Sequence, residues 1–164
     1  MVPHWHAVAS VKWLKRLDVI TEPFAGEFQT GHYVYQWPDG PFKRVTLMRV
    51  RARTTNPADT SIVPAGTYTI RGKSWSGAGA TTEVGLSFTG QSEWSPAVVE
   101  PKGPCRWQDR SFATPGRHSL RARDASGNVQ PEVPPWNRLG YGNNAAEVTY
   151  GDVRSGTRLR RPCS

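Results

Sequence analysis

Two histidines, His4 and His6, stand two positions apart and would share one side of an extended chain, an arrangement from which a metal site can begin. A metal needs further ligands, and no third Cys, His or carboxylate stands near the pair in sequence, so no metal site is expected there. Cys105 and Cys163 are the only cysteines; they are too few for the disulfide framework of a small secreted module and lack C-x-x-C spacing. They are read as free thiols, with a single bridge between them as the alternative. Gly77, Ala78 and Gly79 could cradle a phosphate only if a helix N-terminus followed, and Ala80 to Phe88 has the alternation of a strand. The carboxylates Asp109, Asp124, Glu147 and Asp152 have no spacing that pairs them for acid–base work, and no nucleophile elbow accompanies the serines and histidines. The residues alone describe a module with no catalytic residue and no metal of its own.

Whatever these side chains do, short strands must position them. The chain has 164 residues, enough for one domain with a short appendage and a real core. Seven Trp, five Tyr and five Phe supply large apolar units despite a hydrophobic content of only 37%, so a folded protein is expected. Sixteen Gly and 14 Pro favour many turns over long helices. No stretch approaches a membrane span, so no membrane partner is expected, and the first residues lack the order of a signal peptide. As given, the chain reads as soluble and cytoplasmic, with a periplasmic parent left open.

Lys and Arg number 21 against 13 acidic residues, a formal charge of +8. The basic residues are spread along the chain apart from Arg154, Arg158, Arg160 and Arg161 in the tail, and Arg49, Arg51 and Arg53 alternate onto one strand face. No helix-turn-helix, zinc-finger or RNP pattern accompanies the charge, so it is read as a solvated sheet face rather than a nucleic-acid groove.

Alternation predicts strands over Trp13 to Ile20, Val45 to Thr54, Thr67 to Trp75, Ala80 to Phe88, Trp94 to Val99, Arg106 to Phe112, Arg117 to Arg123 and Asn143 to Tyr150. The third and fourth read as a hairpin around Ser76 to Gly79, and the apolar side of the last is Ala146, Val148 and Tyr150. Thr21 to Pro41 is a long aromatic connection. Seven or eight short strands without a helical period predict an all-β, immunoglobulin-like antiparallel β-sandwich. Trp94 is expected as a core or corner aromatic, and Asn137, Asn143 and Asn144 are expected to tie down loop backbone.

Several segments together resemble one family: Ser10-Val11-Lys12-Trp13-Leu14; Ser74-Trp75-Ser76-Gly77-Ala78-Gly79 with the strand ending near Trp94; and Gln130-Pro131 with Trp136, Asn137, Gly140, Tyr141, Asn143 and Asn144. In this order and spacing, over residues 2 to 150, they resemble the C-terminal dimerisation domain of the sulfite-oxidase family of molybdenum-cofactor (molybdopterin) oxidoreductases.

The resemblance implies an immunoglobulin-like domain at 15–151 that pairs with its copy as a homodimer and follows a molybdopterin-binding catalytic domain. Residues 1–14 would be the last edge of that catalytic domain, and 152–164 a basic tail. Within the edge, Lys12 matches a family lysine that contacts the pterin phosphate, so it is expected to bind cofactor only in an intact enzyme. Neither cysteine matches the motif of the family's metal-binding thiolate, so the cofactor is not expected on this chain alone, and the chain is expected to be inactive alone. A separate catalytic-domain chain is a further possible partner. True sulfite oxidases of the family carry an arginine just after the glycines of the Ser-Trp-Ser-Gly turn; this chain has Ala80, which counts against sulfite, a small dianion that needs fixed positive charge. The alternative reading is a freestanding immunoglobulin-like module that binds an acidic partner.

Overall fold

The computed structural model describes residues 2–64, 68–88, 93–100, 106–112 and 117–154, with the side chains of 64, 106–112 and 152–154 outside the description. Twelve strand segments are present among them: β1 (Val34–Tyr35), β2 (Lys43–Arg44), β3 (Arg51–Asn56), β4 (Ser61–Pro64), β5 (Tyr68–Trp75), β6 (Thr81–Phe88), β7 (Ser95–Pro96), β8 (Val98–Val99), β9 (Arg106–Phe112), β10 (His118–Asp124), β11 (Val148–Thr149) and β12 (Gly151–Arg154). One four-stranded sheet runs β3-β5-β9-β8 and a second runs β11-β10-β6-β7. The fold is an all-β sandwich. Both large sheets are antiparallel, but β4 and β12 form a parallel pair that the alternation did not announce.

The core lies between the sheets and follows from period-two patterning. Val50, Ala52 and Ile70 from one layer meet Val84, Leu86, Leu120 and Ala122 from the other, all buried. Each large side chain stabilises the fold by about 1.5–3 kcal/mol through burial. Residues between them in sequence, such as Arg53, Arg71, Lys73 and Arg123, point outward and are exposed.

The two strands read as a hairpin are not one. β5 pairs with β3 and β9, whereas β6 pairs with β10 and β7, so Ser76 to Ala80 is a corner that carries the chain from one sheet to the other. Turn residues between alternating runs look the same in sequence whether the second run returns alongside the first or crosses the sandwich. The predicted strand Trp94 to Val99 likewise changes sheet at Ala97: β7 lies on β6 and β8 on β9.

Three further expectations are corrected. Trp13 to Ile20 is exposed, forms no strand among the described residues, and begins with Trp13 at φ 52, outside the β region. The last run has opposite parity to that expected: Thr149 is buried while Val148 and Tyr150 face out. The aromatic connection contains a π-helical turn, Phe28–His32, and the short β1–β2 pair, whose Val34 and Tyr35 are buried.

Candidate functional site

Three segments distant in sequence meet at one end of the sandwich. The N-terminal segment runs antiparallel to the chain before β3: His6 N–H donates to the Thr46 carbonyl at 2.9 Å, Met48 N–H donates to the His4 carbonyl at 2.9 Å, and Trp5 bridges Leu47. The Ser76 to Ala80 corner closes on this ribbon, with Gly77 N–H donating to the Met48 carbonyl at 2.7 Å. A Cβ on Gly77 would strike the His4 carbonyl oxygen and would sit 2.6 Å from the Met48 nitrogen, so glycine is required by close backbone approach.

The third segment is the turn Asp124 to Asn128. The Asp124 carboxylate is buried, at 1% exposure, yet it has a full set of donors. Ser76 Oγ donates to it at 2.6 Å, the N–H groups of Ser126 and Asn128 at 3.0 and 2.9 Å, and Asn128 Nδ2 at 2.9 Å. Burial alone would raise its pKa, but the hydrogen bonds from Ser76, Asn128 and Ser126 outweigh burial and leave it below the ordinary carboxylate value. Ser126 Oγ also donates to the Ala78 carbonyl at 3.0 Å, and Ala125 N–H to that of Ala80 at 2.8 Å. The two loops are therefore one rigid unit.

A groove of ≈ 390 Å³ opens beside this unit, with Leu47, Met48, Val50 and Pro135 as apolar walls and Arg49, Ser76, Asn128 and Asn144 as charged and polar groups. Gln130 stands in sequence between Val129 and Pro131, two of the lining residues. Fully buried, it accepts from Ala52 N–H at 2.8 Å and Ala122 N–H at 3.3 Å, and donates to the Ala145 carbonyl at 2.9 Å, so one amide joins both sheets to the following loop. Asn144 Nδ2 donates to the Val50 carbonyl at 3.0 Å, Asn137 Nδ2 to that of Tyr141 at 2.9 Å, and Asn143 accepts from Ala145 N–H at 3.1 Å. These asparagines tie down backbone, as expected.

The sequence candidates are scattered by comparison. His4 Nδ1 faces the Ser76 carbonyl at 3.4 Å, whereas His6 Nε2 faces the Tyr35 hydroxyl at 3.5 Å, so the two rings serve different partners. Burial first, and then the Arg49 guanidinium, lower the His6 pKa. Arg49 itself lies over the Tyr35 ring at 4.6 Å. Lys12 is exposed on the chain that leads away from the ribbon, with no hydrogen bond or ion pair among the described residues. Cys105, Cys163 and the side chains of Asp109 and Asp152 lie outside the described residues. Trp94 is a surface aromatic on the second sheet rather than a core one: it packs over Gly85, with Arg121 4.4 Å from its ring centroid. Residue reasoning missed Asp124 as the organiser of the site. The local signal was present, since Asp-x-Ser-x-Asn favours an Asx-type turn; the Ser76 partner 48 positions away was not.

The mitochondrial sulfite oxidase of Mus musculus is 30% identical over 168 residues, covering 88% of this chain. The sulfane dehydrogenase SoxCD of Paracoccus pantotrophus superposes with a TM-score of 0.76 at 26% identity over 90% of this chain. The chain belongs to the sulfite oxidase family. An NADH nitrate reductase of Petunia hybrida is a more distant relative, 25% identical over 181 residues. No protein-family model matches the chain. This sulfite-oxidase-family domain spans 31% of the mouse relative and 42% of the SoxCD chain, so most of each relative lies beyond the matched stretch.

The family implies a molybdenum cofactor in an intact enzyme. The described residues do not build a place for it. Among them no three His, Cys, Asp or Glu come together to hold a metal ion, and Lys12 offers one exposed ammonium, which is a contact and not a site.

Proposed function

We propose that the chain is the dimerisation and structural domain of a sulfite-oxidase-like, molybdopterin-dependent oxidoreductase, with an immunoglobulin-like topology and no turnover of its own. The observation that carries this reading is an imbalance of surface. The sandwich buries its own core, yet the chain next to the ribbon leaves Val11, Trp13, Leu14, Leu17, Val19, Ile20 and Phe24 exposed, Trp13 at 91% and Val19 at 97%. Scattered exposed apolar residues are ordinary, but seven large ones within residues 11–24 mark a surface that another body covers. Residues 1–14 act as the final edge of a catalytic domain and 15–151 as the sandwich, with 152–164 as a basic segment whose first residues still pair with β4 in β12.

In this reading the ribbon and the Ser76 to Ala80 corner fix the sandwich against the catalytic domain, and the Asp124 carboxylate keeps the corner rigid. The bound cofactor would supply the redox chemistry. Lys12 contributes one cation toward the pterin phosphate, where an ammonium meets a dianion. With Ala80 after the corner glycines, this chain lacks the arginine that suits sulfite, which counts against sulfite as the substrate of the intact enzyme.

Pairing through the sandwich would set a second copy against Ile62 and Tyr150, which are exposed beside the parallel β4–β12 pair. Light scattering on the purified chain tests this: a two-fold dimer at tens of micromolar supports it, and monomer alone at every concentration removes the pairing role. In the cofactor-loaded intact enzyme, Lys12→Met should speed release of the pterin without lowering the melting temperature of the isolated domain. Unchanged retention would remove Lys12 from the cofactor contact.

A further inference from the structure

The outer face of the β3–β5–β9 sheet carries an arrangement that folding alone does not favour. The register sets Arg53 opposite Lys73, and Lys73 opposite Arg106, so basic residues follow one another in a single row across three adjacent strands. The next row sets Asn56 opposite Arg71 and Arg71 opposite Gln108. Ala52, Thr54, Ile70, Gly72 and Ser74 turn inward, which leaves Arg53, Arg71 and Lys73 exposed on the other side. Neighbouring strands are about 4.8 Å apart, and like charges directly opposite each other destabilise a sheet. Among the described residues Glu147 is paired with Arg51 and lies 3.8 Å from Arg53 Nε. Among the described residues no carboxylate pairs with Lys73 or Arg71.

We propose that this face docks a carboxylate-rich segment of a partner protein, with Arg53, Lys73 and Arg71 as its contacts. Each acidic side chain set between two members of the row replaces a repulsion with two attractions, so the free face is held ready for binding. The site suits a peptide better than a nucleic-acid backbone. The row crosses only two inter-strand gaps, about 10 Å, which is short for a continuous line of phosphates. A second copy of this chain does not fit either, because a two-fold contact through this face sets basic on basic. The inference is thus independent of the pairing surface proposed above.

Fluorescence anisotropy with a labelled deca-glutamate peptide and the full chain tests it. Binding is expected at low salt and should weaken steeply towards physiological ionic strength. Replacing Arg53 and Lys73 together by Glu should weaken binding at least roughly tenfold, whereas Lys15→Glu with Lys43→Glu, exposed positions off this sheet with the same change in net charge, should shift it less than about threefold. Should the double reversal not fold, Lys73→Gln keeps most of the side chain, removes one charge of the row, and should weaken binding about threefold. Equal weakening by the control pair would overturn the proposal, as would absence of peptide binding at low salt. Tighter binding of a single-stranded oligonucleotide of equal charge would overturn it as well.

Discussion

Replacing Asp124 by Asn should unlock the corner that joins the two sheets. The native carboxylate accepts from Ser76 Oγ, from two backbone N–H groups and from Asn128 Nδ2, all while buried. Asparagine keeps the shape but has one acceptor oxygen, so it can retain the backbone N–H bonds of Ser126 and Asn128 while its own NH2 is set against the Asn128 amide. Hydrogen bonds to a charged group contribute about 1.5–3 kcal/mol, and a buried donor left without a partner costs about 1–3 kcal/mol. One charge-assisted bond lost and the rest weakened gives a destabilisation of about 2–4 kcal/mol at neutral pH. The pH dependence has a definite sign. Because the folded-state pKa lies below the ordinary carboxylate value, the contribution is complete above about pH 4 and is lost as pH falls through the folded value. The gap between wild type and Asp124→Asn should therefore be widest at neutral pH and shrink in acid. Urea unfolding of both proteins at neutral and acid pH reads it directly. A neutral-pH difference under about 0.5 kcal/mol, or a gap that grows as pH falls, would show that the Asp124 carboxylate does not hold the corner.

Other substitutions probe the same frame. Gln130→Leu keeps bulk but strands the Ala52 and Ala122 N–H groups and the Ala145 carbonyl, and should cost about 3 kcal/mol in urea unfolding. Gly77→Ala forces the His4 carbonyl and the Met48 nitrogen apart; limited proteolysis should cut within residues 2–10 much faster than in wild type while the core transition is nearly retained. His6, whose pKa burial and Arg49 lower from 6.5, favours its neutral form when docked, so the ribbon is fully held above pH 6.5 and loosens as pH falls through the folded value. An NMR titration should give a His6 midpoint below 6.5, with exchange protection near His6 declining over the same range.

The sequence was most legible where alternation and burial coincide. β5, β6 and β10 each place their apolar or small residues inward as the pattern requires, because each is covered on one face by the opposite sheet. Which sheet a strand joins was not legible: β5 and β6 read as neighbours because a tight turn separates them, and only the corner's bonds to Asp124 show that they part. β11 inverted for a related reason. Val148 and Tyr150 are the more apolar residues, but Thr149 is the one placed under the layer, so parity was set by the loop that Gln130 and Asn144 anchor. β4 and β12 are four-residue strands in a parallel pair distant in sequence, too short to show a period. Trp13 to Ile20 shows the converse: the alternation is real, but in this chain no strand among the described residues covers it. At the site, the requirement for glycine at Gly77 and the asparagine anchors carried local signals, whereas the Asp124 to Ser76 link depends on the sandwich having closed.

As read above, this domain serves an enzyme whose molybdenum is held outside the residues described. Molybdenum per chain, measured on the native species isolated from its host and on the isolated 164-residue chain, tests it most directly. One molybdenum for each copy is expected in the native species and none held by the isolated chain. A native species without molybdenum, or an isolated chain that binds the metal stoichiometrically, would contradict it.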